Sequence, residues 1–392
     1  MINNKIEKDK YPYKILSIVE PEFGSPLTDL IISLDYLRKK QLGGSTDPGI
    51  FFQLKEIFQW LESISSARIE GNHTTIAEFI ETKIVDPKKD SKDEQIREIG
   101  NIENAMDFID RTIYKTKIDK RFLSELHREV VRDLSPKLEG DTNPGQYRKK
   151  NIKISGAAHT PPDYTQVDDY MNELFEFINK DMPDKYDLLK VALVHHRFVW
   201  IHPFSNGNGR TVRLLTYAQL VKFKFNIKFG RIINPAAVFC SNRRKYYELL
   251  ATADTGRKDN LLAWCEYVLK GLEQEIKKID KLLDYKYLSK NILIPAIDFS
   301  LDRKTITPSE AGILKIAVQK QLFQAHDLKN IFPGKSPLYL SRQISRLKKK
   351  RMIFPISKKS RKYLINFRNS FILRGIIHAL DAHKFLPLRV NS

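Results

Sequence analysis

The chain contains the stretch His202-Pro203-Phe204-Ser205-Asn206-Gly207-Asn208-Gly209-Arg210-Thr211-Val212-Arg213. Apolar residues at helical spacing precede it at 189–201 and follow it at 211–222, so the glycines fall at the start of a helix. Backbone N–H groups at a helix N-terminus have no intrahelical partner, and the helix dipole adds positive character there. Glycine also lets another group approach the backbone closely. The stretch therefore predicts an anion site, suited to phosphate, at 207–210.

Three side chains in this stretch can act on a nucleotide. Arg210 and Arg213 are three residues apart, so they share one face of the following helix and can both reach the outer phosphates of a triphosphate. His202 precedes the turn, and the ordinary histidine pKa of about 6.5 suits proton removal from a hydroxyl. Taken singly, a core histidine and a simple turn are the alternatives. Together these residues indicate nucleotide chemistry.

The stretch resembles the motif of the Fic (filamentation induced by cAMP) domain family, His-Pro-Phe-x-Asp/Glu-Gly-Asn-Gly-Arg-x-x-Arg. The usual activity of that family is transfer of AMP from ATP to a protein hydroxyl. The resemblance implies a protein adenylyltransferase in which His202 is the general base and the acceptor is a serine, threonine or tyrosine of a target protein or of the chain itself. The implied ATP-binding residues are Ser205, Asn206, Gly207, Asn208, Gly209, Arg210, Arg213, Tyr246 and Tyr247. For the two tyrosines, core packing is the alternative.

One motif position departs from the family. Asn206 stands where the family has an acidic residue that holds Mg²⁺ between the α- and β-phosphates. The resemblance therefore implies Mg²⁺, or Mn²⁺, together with ATP as the substrate. An amide oxygen is a neutral and weaker ligand than a carboxylate for a hard cation. Asn206 is thus the candidate metal ligand, and the sequence leaves open whether it binds one.

A second match lies upstream, at Ser65-Ser66-Ala67-Arg68-Ile69-Glu70-Gly71-Asn72. It is similar to the inhibitory motif of the family, Ser/Thr-x-x-x-Glu-Gly/Asn, and implies Ser66, Glu70 and Gly71 as the inhibitory residues. Ser66 and Glu70 are four residues apart and so share one helical face, and Gly71 loosens or ends the turn. The resemblance implies that Glu70 pairs with Arg213, blocks the γ-phosphate position and so autoinhibits the enzyme. An ordinary surface helix is the alternative.

The C-terminal part is strongly basic. Residues 335–362 include no Asp or Glu, while the whole chain has a net charge of +20. The pattern over 307–350 predicts three helices, and 352–356 with 361–367 predict a hairpin. This order resembles a winged helix-turn-helix, a module that often binds DNA, although many modules of this type bind only proteins. A solvated surface or a docking patch for the target also fits the charge.

The fold class is predicted to be mainly α. Helical spacing recurs through the middle of the chain at 120–133, 168–180, 185–201, 211–223, 240–252 and 260–282. The exception is 145–162, where alternation at Ile152-Lys153-Ile154 predicts a small β-hairpin, which the resemblance makes a flap over the active site. The expected regions are an N-terminal helical region with the inhibitory helix (1–100), a Fic catalytic core (101–285), a winged-helix domain (300–368) and a C-terminal tail (369–392).

Composition limits the location and the function classes. No apolar run reaches the ~18 residues of a membrane span, and the polar first ten residues lack a signal-peptide core, so we expect a cytoplasmic protein without membrane contact. Two cysteines, Cys240 and Cys265, cannot form a disulfide framework. Two alternatives stay open: the same fold removing AMP or transferring another phosphate-containing group, and a nucleotide-sensing, DNA-binding regulator. A homodimer is neither indicated nor excluded.

Overall fold

The computed structural model of the chain describes residues 16–39, 46–85, 93–154, 156–225 and 232–387, so the polar first ten residues lie outside it. The described part is mainly α-helical, as predicted. Its first helices are α1 (Pro26–Lys39), α2 (Pro48–Ile69), α3 (Ile76–Val85), α4 (Glu94–Thr112), α5 (Lys120–Val131), α6 (Val167–Asn179), α7 (Asp187–Ile201) and α8 (Asn208–Lys222). They are followed by α9 (Pro235–Ser241), α10 (Arg243–Ala253), α11 (Lys258–Asp280), α12 (Tyr285–Leu288), α13 (Ile294–Asp302), α14 (Pro308–Lys320), α15 (Pro337–Lys349) and α16 (Leu373–Ala382). The strands are β1 (Ile353–Pro355) and β2 (Tyr363–Ile365). None of the described helices is both long enough and apolar enough to cross a membrane.

The chain divides into two compact units. The first unit comprises residues 1–41, 62–73 and 90–276, and the second comprises 42–61, 74–89 and 277–392. Helix α2 supplies residues to both, because its residues up to Leu61 belong to the second unit and those from Glu62 belong to the first.

The core of the first unit is built around α7. Every residue of α7 except Val199 is buried, as expected for a helix that is apolar on most of its faces. Helix α7 packs against α6 and α8, and α8 also packs against α4, α5 and α9. The loop between α7 and α8, residues 202–207, is therefore anchored at both ends by buried helices. We call these six residues the motif loop.

Helix boundaries in the first unit follow the predictions with one exception. Helix α8 begins at Asn208, directly after Gly207, whose φ of 74° lies in the left-handed region that glycine tolerates. Residues 240–252 were expected to form one helix but are divided between α9 and α10. Asn242 interrupts them because its backbone is extended and its side-chain oxygen accepts a hydrogen bond from the Lys245 N–H, which caps α10.

The paired strands predicted at 145–162 are not formed among the described residues of this segment, from which Ser155 is omitted. Hydrogen bonds between paired strands were expected here, but the structure shows hydrogen bonds from side chains to backbone carbonyls. The Arg148 guanidinium donates to the carbonyls of Lys150, Pro162 and His202 at 3.1, 2.6 and 2.9 Å. The described residues of 145–162 therefore form a loop, which Arg148 attaches to the end of α7. Within the alternating residues 152–154, the Ile154 carbonyl accepts from the Ala157 N–H at 3.2 Å, which is a turn contact and not a strand pair.

The second unit has the element order that the sequence predicted for its C-terminal part. Thr307 and Glu310 form the predicted helix start, with reciprocal side-chain to backbone bonds of a capping box at the N-terminus of α14. A 3₁₀ helix (Ala325–Asn330), α15 and the antiparallel pair β1–β2 follow, with Phe354 opposite Leu364. Helix α13 packs against α14 and α16. The likeness to a winged helix stays a prediction.

The last described part of the chain is also packed. Residues 369–392, expected as a tail, contain α16, whose apolar face is buried. Gln53, in the first part of α2, donates to the Ile365 carbonyl at 3.0 Å and accepts from the Phe367 N–H at 3.0 Å. These bonds satisfy backbone groups at the end of β2 inside the second unit.

Candidate active site

His202 is positioned by the end of α7. Its backbone N–H donates to the Phe198 carbonyl at 2.9 Å, and its φ of 52° is left-handed, a strained conformation for a residue other than glycine. Nδ1 lies 3.3 Å from the Val199 carbonyl, which can only accept, so Nδ1 carries the proton and Nε2 is free to accept one. Burial lowers the pKa of His202 to about 4, which keeps the ring neutral at pH 7.

The motif loop is closed by its own residues and by α5. Asn208 accepts from the Phe204 N–H at 2.9 Å and donates to the Phe204 carbonyl at 2.8 Å. The ring of His127, on α5, stacks on Phe204 with centroids 3.7 Å apart. His127 Nδ1 accepts from the Gly145 N–H, so Nε2 carries the proton and donates to the Asn206 carbonyl at 3.0 Å. These contacts hold the loop in one conformation.

The Glu70 carboxylate lies at the N-terminus of α8. Helix α2 ends at Ile69, and Glu70 follows in a turn completed by Gly71, whose φ is 106°. A methyl group on the Gly209 Cα would lie 2.0 Å from Glu70 Oε1, so only glycine allows this approach. A carboxylate thus occupies the place where the helix terminus favours an anion.

Arg213 is fully enclosed by residues of α2 and by Glu70. Its Nη2 donates to Glu70 Oε1 at 2.7 Å and to the Ser66 carbonyl at 2.9 Å, and its Nε donates to Ser66 Oγ at 2.8 Å. Burial of Glu70 opposes its ionisation, but the charges of Arg213 and Arg210 outweigh burial, so the pKa of Glu70 lies below its usual value. The pair is therefore ionised at neutral pH.

Arg210 has a different set of partners. Its Nη1 lies 3.0 Å from Glu98 Oε1, and its Nη2 donates to Glu139 Oε2 at 2.8 Å and to the Glu139 carbonyl at 2.7 Å. Burial raises the pKa of Glu98 and of Glu139 above the usual value, although the Arg210 charge acts in the opposite direction. Arg210 is 0% exposed and is built into the scaffold on this side of α8.

The surroundings of Asn206 do not fit the magnesium ligand that the family has at this position. The side-chain oxygen accepts from the Gly207 N–H at 2.7 Å, and the side-chain nitrogen donates to the Leu138 carbonyl at 2.8 Å. The Asn206 backbone N–H donates to Asp141 at 3.1 Å. In the described part of the chain, no three His, Cys, Asp or Glu side chains are grouped as metal ligands. Asn206 therefore fixes the loop.

The remaining residues that the sequence singled out differ in their access to this site. Tyr246 is buried, and its hydroxyl bonds to His195 at 2.9 Å, as for a core residue. Tyr247 is 42% exposed, and its hydroxyl donates to the Ile69 carbonyl at 3.4 Å, which places it beside the end of α2. Ser205 is exposed on the motif loop. The structure thus brings Ser66, Glu70 and Tyr247 to the same end of α8 as the motif.

Sequence reasoning missed four residues that support the site: His127, Glu98, Glu139 and Arg148. His127 and Glu98 occupy buried positions on the apolar faces of α5 and α4. A polar residue at an apolar helix position is a signal that could have been noticed. Glu139 and Arg148 lie in loops, where nothing in the local pattern marks them.

The segment that carries the motif loop matches the model of a known protein family. Residues 117–220, which include α5 to α8 up to Leu220 and the motif loop, match the model of the Fic/DOC family. The chain therefore contains a Fic domain at residues 117–220.

Similar proteins bear the name protein adenylyltransferase Fic. The one from Aedes aegypti is 28% identical over 272 residues, which cover 64% of this chain and 51% of that protein. The one from Nematostella vectensis is 30% identical over 197 residues, covering 49% of this chain and 42% of that protein. The one from Culex quinquefasciatus is 32% identical over 202 residues, covering 49% and 36%. The chain spans about half the length, or less, of these relatives.

Solved structures share the fold at low identity. A Fic family protein from Desulfovibrio desulfuricans superposes with a TM-score of 0.54 at 18% identity, covering 90% of this chain and 98% of that one. A Fic domain containing signaling protein from Bacteroides thetaiotaomicron gives a TM-score of 0.51 at 18% identity, covering 66% and 98%. Fic-1 from C. elegans gives 0.51 at 19% identity, covering 67% and 72%.

Proposed function

We propose that the chain is a protein adenylyltransferase that transfers AMP from ATP to a hydroxyl of a target protein and that Glu70 inhibits it. The observation that carries the proposal is the anion position at the N-terminus of α8, where a carboxylate approaches Gly209 and pairs with Arg213. A triphosphate has the charge and the oxygen geometry to replace that carboxylate. The named relatives support the same activity.

The reaction follows from the free nitrogen of His202. ATP is supplied as its magnesium complex, and its phosphates lie along the N–H groups of 207–210 with Arg213 on the outer phosphate. His202 Nε2 takes the proton of a serine, threonine or tyrosine hydroxyl. The hydroxyl oxygen bonds to the α-phosphorus as the bond from that phosphorus to the β-phosphate oxygen breaks, and pyrophosphate leaves. Because the residues around Asn206 do not fit a metal ligand, no step is assigned to an ion held by Asn206.

Inhibition is a competition for one position. While Glu70 pairs with Arg213, its carboxylate takes the Nη2 donor that a phosphate would use and repels an incoming anion. Departure of Glu70 frees both the arginine and the space over Gly209. Inhibition would therefore weaken ATP binding before it affects any chemical step.

The test is transfer of label from α-labelled ATP in a lysate, with parallel calorimetric titration of ATP and Mg²⁺ onto purified protein. Glu70→Gly should raise both label transfer and ATP affinity, because the competing carboxylate is gone. Glu70→Gly/His202→Ala should keep the raised affinity and lose the transfer, because the base is missing but the anion site remains.

The matched control is Glu22→Gly, which removes an exposed glutamate from a turn of the same unit. It should behave as the wild-type chain. Label from no variant, with Mn²⁺ also tried, would refute the transferase proposal. In that case release of AMP from a modified protein is the next reaction to measure, with Glu70 positioning the attacking water.

A further inference from the structure

The second unit holds most of the excess charge of the chain. Residues 331–380 contain 13 Lys and Arg and no Asp or Glu, against a net charge of +20 for the whole chain. Three of the 13 have acidic partners from elsewhere in the unit: Lys350 with Glu310, Arg368 with Glu56 and Arg374 with Glu81. A concentrated positive charge of this size attracts polyanions and releases their counterions on binding.

The structure arranges this charge on one helix and one turn. Helix α15 buries Leu340, Ile344 and Leu347 and leaves Arg342, Arg346 and Lys349 exposed. These three are spaced by four and three residues, so they lie along one face. The tip of the hairpin adds exposed basic side chains between β1 and β2, at Lys358, Lys359, Arg361 and Lys362.

The shape and the residue types favour double-stranded DNA among polyanions. An exposed α-helix fits the major groove, which is about 12 Å wide, and arginine can bind a guanine edge with two hydrogen bonds. Single-stranded nucleic acid is usually held by exposed aromatic rings. Within 331–380, all of which is described, the six aromatic residues other than His378 are buried or half-buried: Phe332, Tyr339, Phe354, Tyr363, Phe367 and Phe371.

We propose that α15 and the β1–β2 turn form a binding surface for double-stranded DNA, with Arg342 and Arg346 in the major groove and the lysines of the turn on the phosphates. Short, exposed serine side chains, Ser341 and Ser345, directly precede the two arginines in the sequence. This activity is independent of AMP transfer and uses none of the residues of the Fic motif.

The test is fluorescence anisotropy of a labelled 30-base-pair duplex of random sequence with the full chain, from 50 to 200 mM salt. Affinity should fall steeply with salt. Arg342→Ala/Arg346→Ala should weaken binding about tenfold or more, because two groove contacts are lost. Lys358→Ala/Lys359→Ala should reduce the slope of log affinity against log salt by about 2, since each phosphate contact contributes about 0.9.

The control is Lys286→Ala/Lys290→Ala, which removes the same charge from exposed positions of the same unit. Its affinity should change less than twofold. An equal loss in this control would refute the proposed surface, because general charge would then explain the binding. Tighter binding of a single strand or an RNA duplex, or no binding at 50 mM salt, would refute the DNA assignment.

A conservative double variant tests whether misfolding explains a loss of binding. Arg342→Lys/Arg346→Lys keeps the charge but removes the two-pronged guanidinium groups. It should retain salt-dependent binding to random duplex but lose any preferred sequence that selection from a random pool finds for the wild type. When either arginine variant is combined with Glu70→Gly, AMP transfer should remain at the level of Glu70→Gly alone. This measurement separates a failure of the DNA-binding proposal from a failure of the adenylyltransferase proposal.

Discussion

Arg210 and Arg213 lie one turn apart on α8 and are equally buried. Their partners, however, come from different parts of the first unit. Arg210 is bound by Glu98, on a core helix, and by Glu139. Arg213 is bound by Glu70, in the turn after α2, and by Ser66. The pKa of Glu70 is lowered, whereas burial raises the pKa of Glu98 and Glu139. Arg210 is thus part of the scaffold, whereas under the proposed function Arg213 is paired with a group that ATP replaces.

The largest expected effect is on stability. Glu98→Ala should lower the free energy of unfolding by about 3–5 kcal/mol, because it removes a buried partner of the Arg210 charge. Urea denaturation measures the change. Glu125→Ala is the control, since it breaks an exposed pair with Arg128 and should cost roughly 0–1 kcal/mol. Similar costs for the two variants would show that Arg210 is not a scaffold residue.

The next effect concerns pH and Glu62, which lies one turn before Ser66 on α2. Glu62 accepts from the Ala236 N–H, and burial raises its pKa to about 8. Between about pH 4.5 and 8, Glu62 is therefore protonated in the folded chain and ionised in the unfolded chain. Its contribution to the free energy of unfolding falls as the pH rises through that range. In wild type this loss should amount to about 1–2 kcal/mol of the free energy of unfolding between pH 6 and 8, and Glu62→Gln should abolish it.

This pH dependence is measured by urea denaturation at a series of pH values, with Glu125→Gln as the control. The control removes an exposed carboxyl group and should keep the wild-type slope. A Glu62→Gln variant with an unchanged slope would mean that Glu62 is ionised in the folded chain.

The comparison of the two arginines also predicts a difference in ATP binding. Glu70→Gln should tighten ATP binding about tenfold, because the charge that competes with phosphate is removed. Glu139→Gln should change it less than twofold, since Arg210 keeps Glu98 and the Glu139 carbonyl. Titration calorimetry measures both. Equal effects would mean that both arginines are available to ATP.

The smallest effect should come from Ser66→Ala. Arg213 loses the acceptor of its Nε–H but keeps Glu70 and the Ser66 carbonyl, so inhibition should weaken by about three- to tenfold, the value of one ordinary hydrogen bond. Label transfer measures it. Ser66→Thr keeps the hydroxyl and should stay near wild type. A rise in Ser66→Thr as large as in Ser66→Ala would point to helix packing as the cause.

The parts of the site that are local in sequence could be predicted from it. Gly207 sets a left-handed turn just before α8, so the helix start and the anion position follow from a few adjacent residues. The contact of Glu70 with Arg213 spans 143 residues, and only the resemblance to a family pointed to it. Nothing in the local pattern links the two residues.

Other parts of the fold and the site depend on hydrogen-bond partners that lie far away in the sequence, which no local pattern reveals. Arg210 reaches Glu139, 71 residues away, and Asn101 on α4 bonds the carbonyls of Val130 and Arg132 at the C-terminal end of α5, 29 and 31 residues away. The predicted strands at 145–162 failed for the same reason. The Arg148 guanidinium bonds the Lys150 and Pro162 carbonyls near the two ends of this segment, and alternation of apolar residues does not reveal such contacts.

The space above Gly209 has a further consequence under the proposed reaction. Carboxylate and phosphate cannot occupy it together, so Glu70 acts as a competitor that is tethered to the enzyme at a fixed effective concentration. The strength of inhibition can then be stated as the ATP concentration at which half of the molecules have exchanged one anion for the other. Below that concentration, the rate of transfer rises in proportion to ATP, so the enzyme would report the cell's nucleotide supply without a separate sensor.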